Sequence, residues 1–158
     1  IVATNLDGSS SDSAASSSLV LYSSIPTSAV TGLAVSVVSS TQVSLTWTAQ
    51  STPGNGYSSI TTYTVEYKLS SDSTWQSGNT TASSPATISG LTTLSTYYFR
   101  IKSTNAFGTG PTSSDSSVSA TLYGIPNVPA QPTLTQTSGS TSIVVTWTAP
   151  ANNGATIS

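Results

Sequence analysis

Displaced by 100 residues, both ends of the chain fall onto its middle. Thr46-Trp47-Thr48-Ala49 returns as Thr146-Trp147-Thr148-Ala149, and Ile25-Pro26 returns as Ile125-Pro126. Near the start, Thr4-Asn5 and Gly8 return as Thr104-Asn105 and Gly108. The alignment slips once, by a single residue, where Leu21-Tyr22 meets Leu122-Tyr123. Self-similarity at a fixed period marks a supersecondary unit repeated along a chain. One complete repeat therefore spans residues 26–124. Residues 1–25 read as the tail of a preceding repeat, and residues 125–158 as the head of a following one. Residue 1 is Ile and the sequence contains no Met, so it reads as a processed chain or as a window on a longer tandem array.

Within the complete repeat, apolar side chains alternate with polar ones. Leu33, Val35 and Val37 alternate in a first stretch, A. Val43, Leu45 and Trp47 follow in B, with Ser44, Thr46 and Thr48 on the opposite face. Tyr63, Val65 and Tyr67 alternate in C, Trp75 sits in a short C′, and Ile88 and Leu91 belong to E. Tyr97, Phe99 and Ile101 mark F, and Val118, Ala120 and Leu122 mark G. A period of two is the signature of a strand, whose successive side chains point to opposite faces. The breaks carry turn chemistry, as in Pro53-Gly54-Asn55-Gly56 and Phe107-Gly108-Thr109-Gly110-Pro111. Seven short strands with no helical period predict an all-β, seven-stranded sandwich.

Composition then removes whole classes of function. The 158 residues include 35 serines and 28 threonines, but only 3 Lys+Arg and 5 Asp+Glu. Such a chain is either a disordered hydroxyl-rich stalk or a β-module with low surface charge. The alternation, together with 3 Trp, 7 Tyr and 2 Phe, selects the second. Without Cys there are no disulfides, thiolate nucleophiles or sulfur-based zinc sites. Without His the usual general base near neutral pH is missing. Three cations cannot line a phosphate backbone, so nucleic acid is not expected as a partner. No stretch approaches the roughly 20 apolar residues of a membrane-spanning helix, so no membrane insertion is expected in this segment. No cofactor or metal is expected either.

The run Leu91-Thr-Thr-Leu-Ser-Thr-Tyr97-Tyr98-Phe99-Arg100-Ile101-x-Ser103-x-Asn105-x-x-Gly108 resembles the fibronectin type III family. Trp47 in B and Tyr63-x-Val65-x-Tyr67 in C are similar to that family's core. The resemblance covers the whole repeat and implies an immunoglobulin-like sandwich built on Trp47, Tyr63, Val65, Tyr67, Leu91, Tyr97, Phe99 and Ile101. Trp147 would be the counterpart of Trp47 in the following repeat. The resemblance also implies a tyrosine corner, in which the Tyr97 hydroxyl returns to a backbone group near the E–F bend. Two departures stand out: Thr93 where the family usually has Pro, and Leu94 where it usually has Gly. The bend is therefore expected to have a different local shape. By the same resemblance, residues 1–8 are the end of an F strand, and residues 134–149 are strands A and B.

Candidate chemistry is sparse. The charged residues of the complete repeat are Glu66, Lys68, Asp72, Arg100, Lys102 and Asp115. Glu66 and Lys68 share one face of C, and Arg100 and Lys102 share one face of F. A surface pair of Glu66 with Arg100 or Lys102 is the expected arrangement, rather than two carboxyls facing across a cleft as glycoside hydrolysis requires. Serine and threonine nucleophiles have no His or placed Lys to activate them, so no enzyme is expected. The F–G loop lacks the Arg-Gly-Asp tripeptide of some adhesive family members. Phe107 on that loop is the candidate contact residue, although packing over the end of its own sandwich is the favoured reading. Asn79-Thr80-Thr81 is a sequon, expected in an exposed loop between C′ and E and a candidate for glycosylation. Hydroxyl clusters at 9–18 and 112–117 are candidates for O-linked sugar, or neutral polar cover.

These readings converge on a non-catalytic, extracellular or cell-surface structural module within a tandem-repeat rod or filament. Its expected partners are other copies or neighbouring repeats, with glycans or a cell-surface protein as further candidates. Pro126, Pro129 and Pro132 make the second linker semi-rigid, so consecutive domains should sit end to end. Two alternatives remain: the adhesive ectodomain of a receptor or adhesin, and a spacer in a secreted polysaccharide-degrading enzyme.

Overall fold

The computed structural model describes residues 1–12, 21–113 and 118–157. Their strands are β1 (Thr4–Asn5), β2 (Gly8–Ser9), β3 (Thr31–Ser39), β4 (Gln42–Thr48), β5 (Ile60–Leu69) and β6 (Gln76–Thr81). There follow β7 (Ala86–Ser89), β8 (Thr96–Asn105), β9 (Gly108–Thr109), β10 (Ser119–Thr121), β11 (Thr133–Thr135) and β12 (Val144–Thr146). In the middle of the chain two antiparallel sheets form. One has the order β3-β4-β7, and the other β10-β8-β5-β6 with β9 folded back on β8. These are A-B-E and G-F-C-C′, the two layers of a seven-stranded immunoglobulin-like sandwich.

The core follows from the pleat. Val43, Leu45 and Trp47 of β4 share one buried cluster with Tyr63 and Val65 of β5 and with Tyr97, Phe99 and Ile101 of β8. Their polar neighbours in sequence point the other way, which removes apolar area from water without burying unpaired hydroxyls. The Trp47 and Tyr63 rings lie 5.3 Å apart at 53°, a tilted contact that suits their quadrupoles. Tyr67 is half-buried against this cluster, its ring 6.1 Å from that of Tyr97.

The bend before β8 holds the tyrosine corner. The Tyr97 hydroxyl accepts the Thr92 N–H at 3.0 Å. Leu91, buried, donates its own N–H to the Thr41 carbonyl at 3.0 Å. Leu94 sits at φ +61°, a left-handed backbone that glycine adopts freely and leucine only at a cost of about 1–2 kcal/mol.

Four expectations need correction. Val37 is not buried in the core but is 47% exposed. The register sets Val37 opposite Val43, on the same face as Leu33 and Val35, which pack against the core, but toward the end of β3 that face is no longer covered. Leu91 lies beyond the end of E, in the bend. The C′ strand is β6, after Trp75 rather than around it, so Asn79 occupies an edge strand and not a loop. Trp147 is 67% exposed. The β11 to β12 ribbon that precedes it pairs Leu134 with Val145, but among the described residues no second sheet packs on that ribbon.

Candidate functional site

All three cations of the chain meet on the outer face of the larger sheet. The register sets Glu66 of β5 opposite Arg100 of β8, with Thr64 opposite Lys102. Period two then places Glu66, Lys68, Arg100 and Lys102 on the same outward surface. Arg100 Nε donates to Glu66 Oε2 at 2.6 Å, and Lys102 Nζ donates to Glu66 Oε1 at 2.5 Å. One partner is directly across and the other is diagonal, the two positions within reach on a sheet face. The Glu66 side chain is only 12% exposed.

Burial raises the pKa of Glu66, but hydrogen bonds from Lys102 and Arg100, together with their charges, outweigh it and hold the carboxyl below its ordinary value. Each carboxylate oxygen accepts from one cation, which keeps Glu66 ionised and fixed in place. Trp75 completes the cluster. Arg100 Cζ lies 4.2 Å from its ring centroid and Lys68 Nζ lies 5.1 Å from it, distances at which a cation is attracted to the ring face. The involvement of Trp75 was missed from sequence. The hairpin register, which sets Tyr67 opposite Gln76, brings Trp75 alongside Lys68 and was the signal available.

A second feature lies at the loop end of the sandwich. Asn105, at the end of β8, is 4% exposed. Its Nδ2 donates to the carbonyls of Ser24 at 2.6 Å and Asn55 at 3.0 Å, and its Oδ1 accepts the Phe107 N–H at 2.9 Å. The linker before β3 is thus gripped between the loop after β4 and the turn after β8. Pro26 is fully buried there, and the fit needs a glycine at 110. A Cβ at that position would lie 2.5 Å from Pro26 Cβ and 2.7 Å from its carbonyl oxygen. Gln50 braces the same end: its N–H donates to the Tyr63 hydroxyl at 3.0 Å, and its Oε1 accepts from the buried Ser103 hydroxyl.

The remaining candidates stand apart from both features. Phe107 projects from the turn at 57% exposure and does not cover its own sandwich, because the short β8 to β9 turn carries it outward. Asn79 is exposed on β6, its Nδ2 donating to the Thr87 carbonyl at 3.0 Å. Positions 13–18 and 114–117 of the two hydroxyl clusters, Asp115 included, lie outside the described residues. Among the described residues no group of three or more His, Cys, Asp or Glu is placed to hold a metal ion, and no helix is long and apolar enough to cross a membrane.

Two sheets in A-B-E and G-F-C-C′ order, closed by a tyrosine corner, define a module of the immunoglobulin-like sandwich class. The family model of the fibronectin type III domain matches residues 28–119, and the chain belongs to that family. Over 133 residues, 82% of its length, the chain is 31% identical to tyrosine-protein phosphatase Lar of Drosophila melanogaster, and it spans about 6% of that protein. A crystal structure of titin domains is similar at 30% identity and a TM-score of 0.56, covering 62% of this chain and 32% of that one. The solution structure of the third fibronectin III domain of the human KIAA0343 protein shares the fold. It is 22% identical, with a TM-score of 0.54, covering 72% of this chain and 92% of that one.

Proposed function

We propose that this chain is a segment of a tandem array of fibronectin type III domains, acting as a non-catalytic structural module of an extracellular rod or filament. In this reading residues 1–25 end one domain, 26–124 form a complete one, and 125–158 begin the next. One observation carries it: the hairpin of β1 and β2 has the same construction as that of β8 and β9. The Asp7 N–H meets Asn5 Oδ1 at 2.9 Å, as the Phe107 N–H meets Asn105 Oδ1. Gly8 and Gly108 share φ +135°. The hydroxyls of Thr4 and Ser9 lie 2.9 Å apart, and so do those of Thr104 and Thr109. The same turn built twice, about one hundred residues apart, is what consecutive domains of an array require.

Neighbouring repeats, or other copies of the chain, are then the natural partners. A chain with net charge −2 gains little solubility from self-repulsion. A sugar on Asn79 would cover the exposed β6 edge, where another strand would otherwise add. The test is the intact mass of the native material before and after deglycosylation. A mass many times 16.0 kDa that falls in sugar-sized steps supports a glycosylated array. A bare chain of that mass removes the array reading.

The exposure of Phe107 favours a second reading, an adhesive ectodomain that uses this loop as its contact. On that reading Phe107→Ser leaves the melting temperature unchanged and lowers adhesion of cells to the immobilised chain. Unchanged adhesion removes it.

A further inference from the structure

Leu94 is in the wrong place for its own domain. Its backbone is left-handed, its side chain is 58% exposed, and it takes no part in the buried cluster. A leucine held in a left-handed backbone is an outlier from which a role is to be sought among its neighbours. What lies next to it is the loop after β12. A Cβ placed on Gly154 would lie 3.5 Å from Leu94 Cδ2 and 2.6 Å from Tyr123 Cδ1. A Cβ on Gly124 would lie 3.3 Å from Thr93 Cγ2 and 3.1 Å from Asn153 Cβ. We infer that Thr93, Leu94 and Tyr123 form a docking face on one repeat that receives Asn153 and Gly154 of the next, fixing the angle between them.

The linker is tied into the same joint. The Gly124 N–H donates to the Asn153 carbonyl and the Asn127 N–H to the Ala151 carbonyl, both at 3.0 Å. Asn153 Nδ2 also reaches the Ile125 carbonyl. One hundred residues earlier the pattern recurs: the Ser24 N–H donates to the Gly56 carbonyl at 2.8 Å and the Thr27 N–H to that of Gly54 at 3.0 Å. In both places the linker's amides, three residues apart, are held by the loop that follows strand B. A linker so held belongs to the domain after it, and the joint between repeats moves to the contact of Leu94 and Tyr123 with Gly154. None of these joint residues carries a charge, so the contact is insensitive to salt.

This inference rests on the tandem reading, and its test is separable from the mass measurement above. The 158-residue chain is compared with its Leu94→Gly and Tyr123→Ala variants by amide hydrogen exchange and thermal melting. Glycine suits the left-handed backbone, so Leu94→Gly keeps or raises the melting temperature. At the same time, both variants accelerate exchange at Gly124 and Asn127 by about tenfold. Three results would overturn the docking face while leaving the array intact. Those amides could exchange in the unsubstituted chain as fast as in an unstructured peptide. They could keep their protection in both variants. Or Leu94→Gly could lose melting temperature in step with protection throughout the sandwich, assigning the leucine to its own domain.

Discussion

The carboxamide of Asn105 reaches the carbonyl of Ser24, 81 residues earlier in the chain, at 2.6 Å. With its second N–H on Asn55 and its oxygen on the Phe107 amide, this buried side chain ties two distant segments to its own turn. A buried amide so used is worth more than one contact, because removing it strands a partner on each segment.

Asn105→Ala is expected to lower stability by about 2–3 kcal/mol, measured by urea unfolding. The Ser24 region should also lose protection from hydrogen exchange before the sandwich itself opens. A loss confined to global stability, with the linker still protected, would argue against the clamp.

Tyr97→Phe deletes only the hydroxyl of the tyrosine corner and leaves the Thr92 N–H without its partner. The expected cost is about 1–2 kcal/mol, read as a lower urea midpoint with an unchanged slope. A near-neutral result would mean that water satisfies that N–H in the variant.

The pH response of the charged cluster has a definite sign. The native Glu66 carboxyl titrates below its ordinary value of 4.5, so the unfolded chain binds the proton more readily. The contribution of Glu66 is therefore complete above the ordinary value and is lost as pH falls through the lowered native one. Glu66→Gln should flatten the stability curve below about pH 5. At neutral pH it should cost only about 0–1 kcal/mol per ion pair, because both cations are partly solvated. An unchanged acid limb in the variant would assign that limb to the aspartates.

Gly110→Ala tests the fit of the linker. The added methyl would meet Pro26 at 2.5 Å, and the expected cost is about 1–3 kcal/mol, with increased exchange at Thr27. If both stability and exchange are unchanged, the linker has room to shift and the slot is not tight.

Much of the sandwich was legible in the sequence. Trp47, Tyr63, Val65, Phe99 and Ile101 alternate with more polar residues, and a two-residue period reports directly which face of a strand is buried. Their burial, and the Tyr97 corner, follow from that local pattern and from the resemblance to the family. The pattern misled at Val37, because alternation gives the face of a strand and not how far along it the opposite layer reaches. At Trp147 the period says that a face is apolar, and among the described residues no second sheet covers it.

Pairings between distant segments were a different matter. The ion pairs of Glu66 could be anticipated once C and F were neighbours, yet the addition of Trp75 depends on the hairpin register. The hold of Asn105 on Ser24, and the approach of Leu94 to Gly154, depend on loops converging at the two ends of the domain. By itself the sequence determined most of the strands and their apolar faces, and that motifs such as Thr46-Trp47-Thr48-Ala49 return one hundred residues later. Only the tertiary structure decided which polar and strained side chains meet across the loops. The first is set by the alternating geometry of a single strand, whereas the second is set by where chain segments far apart in sequence are brought together.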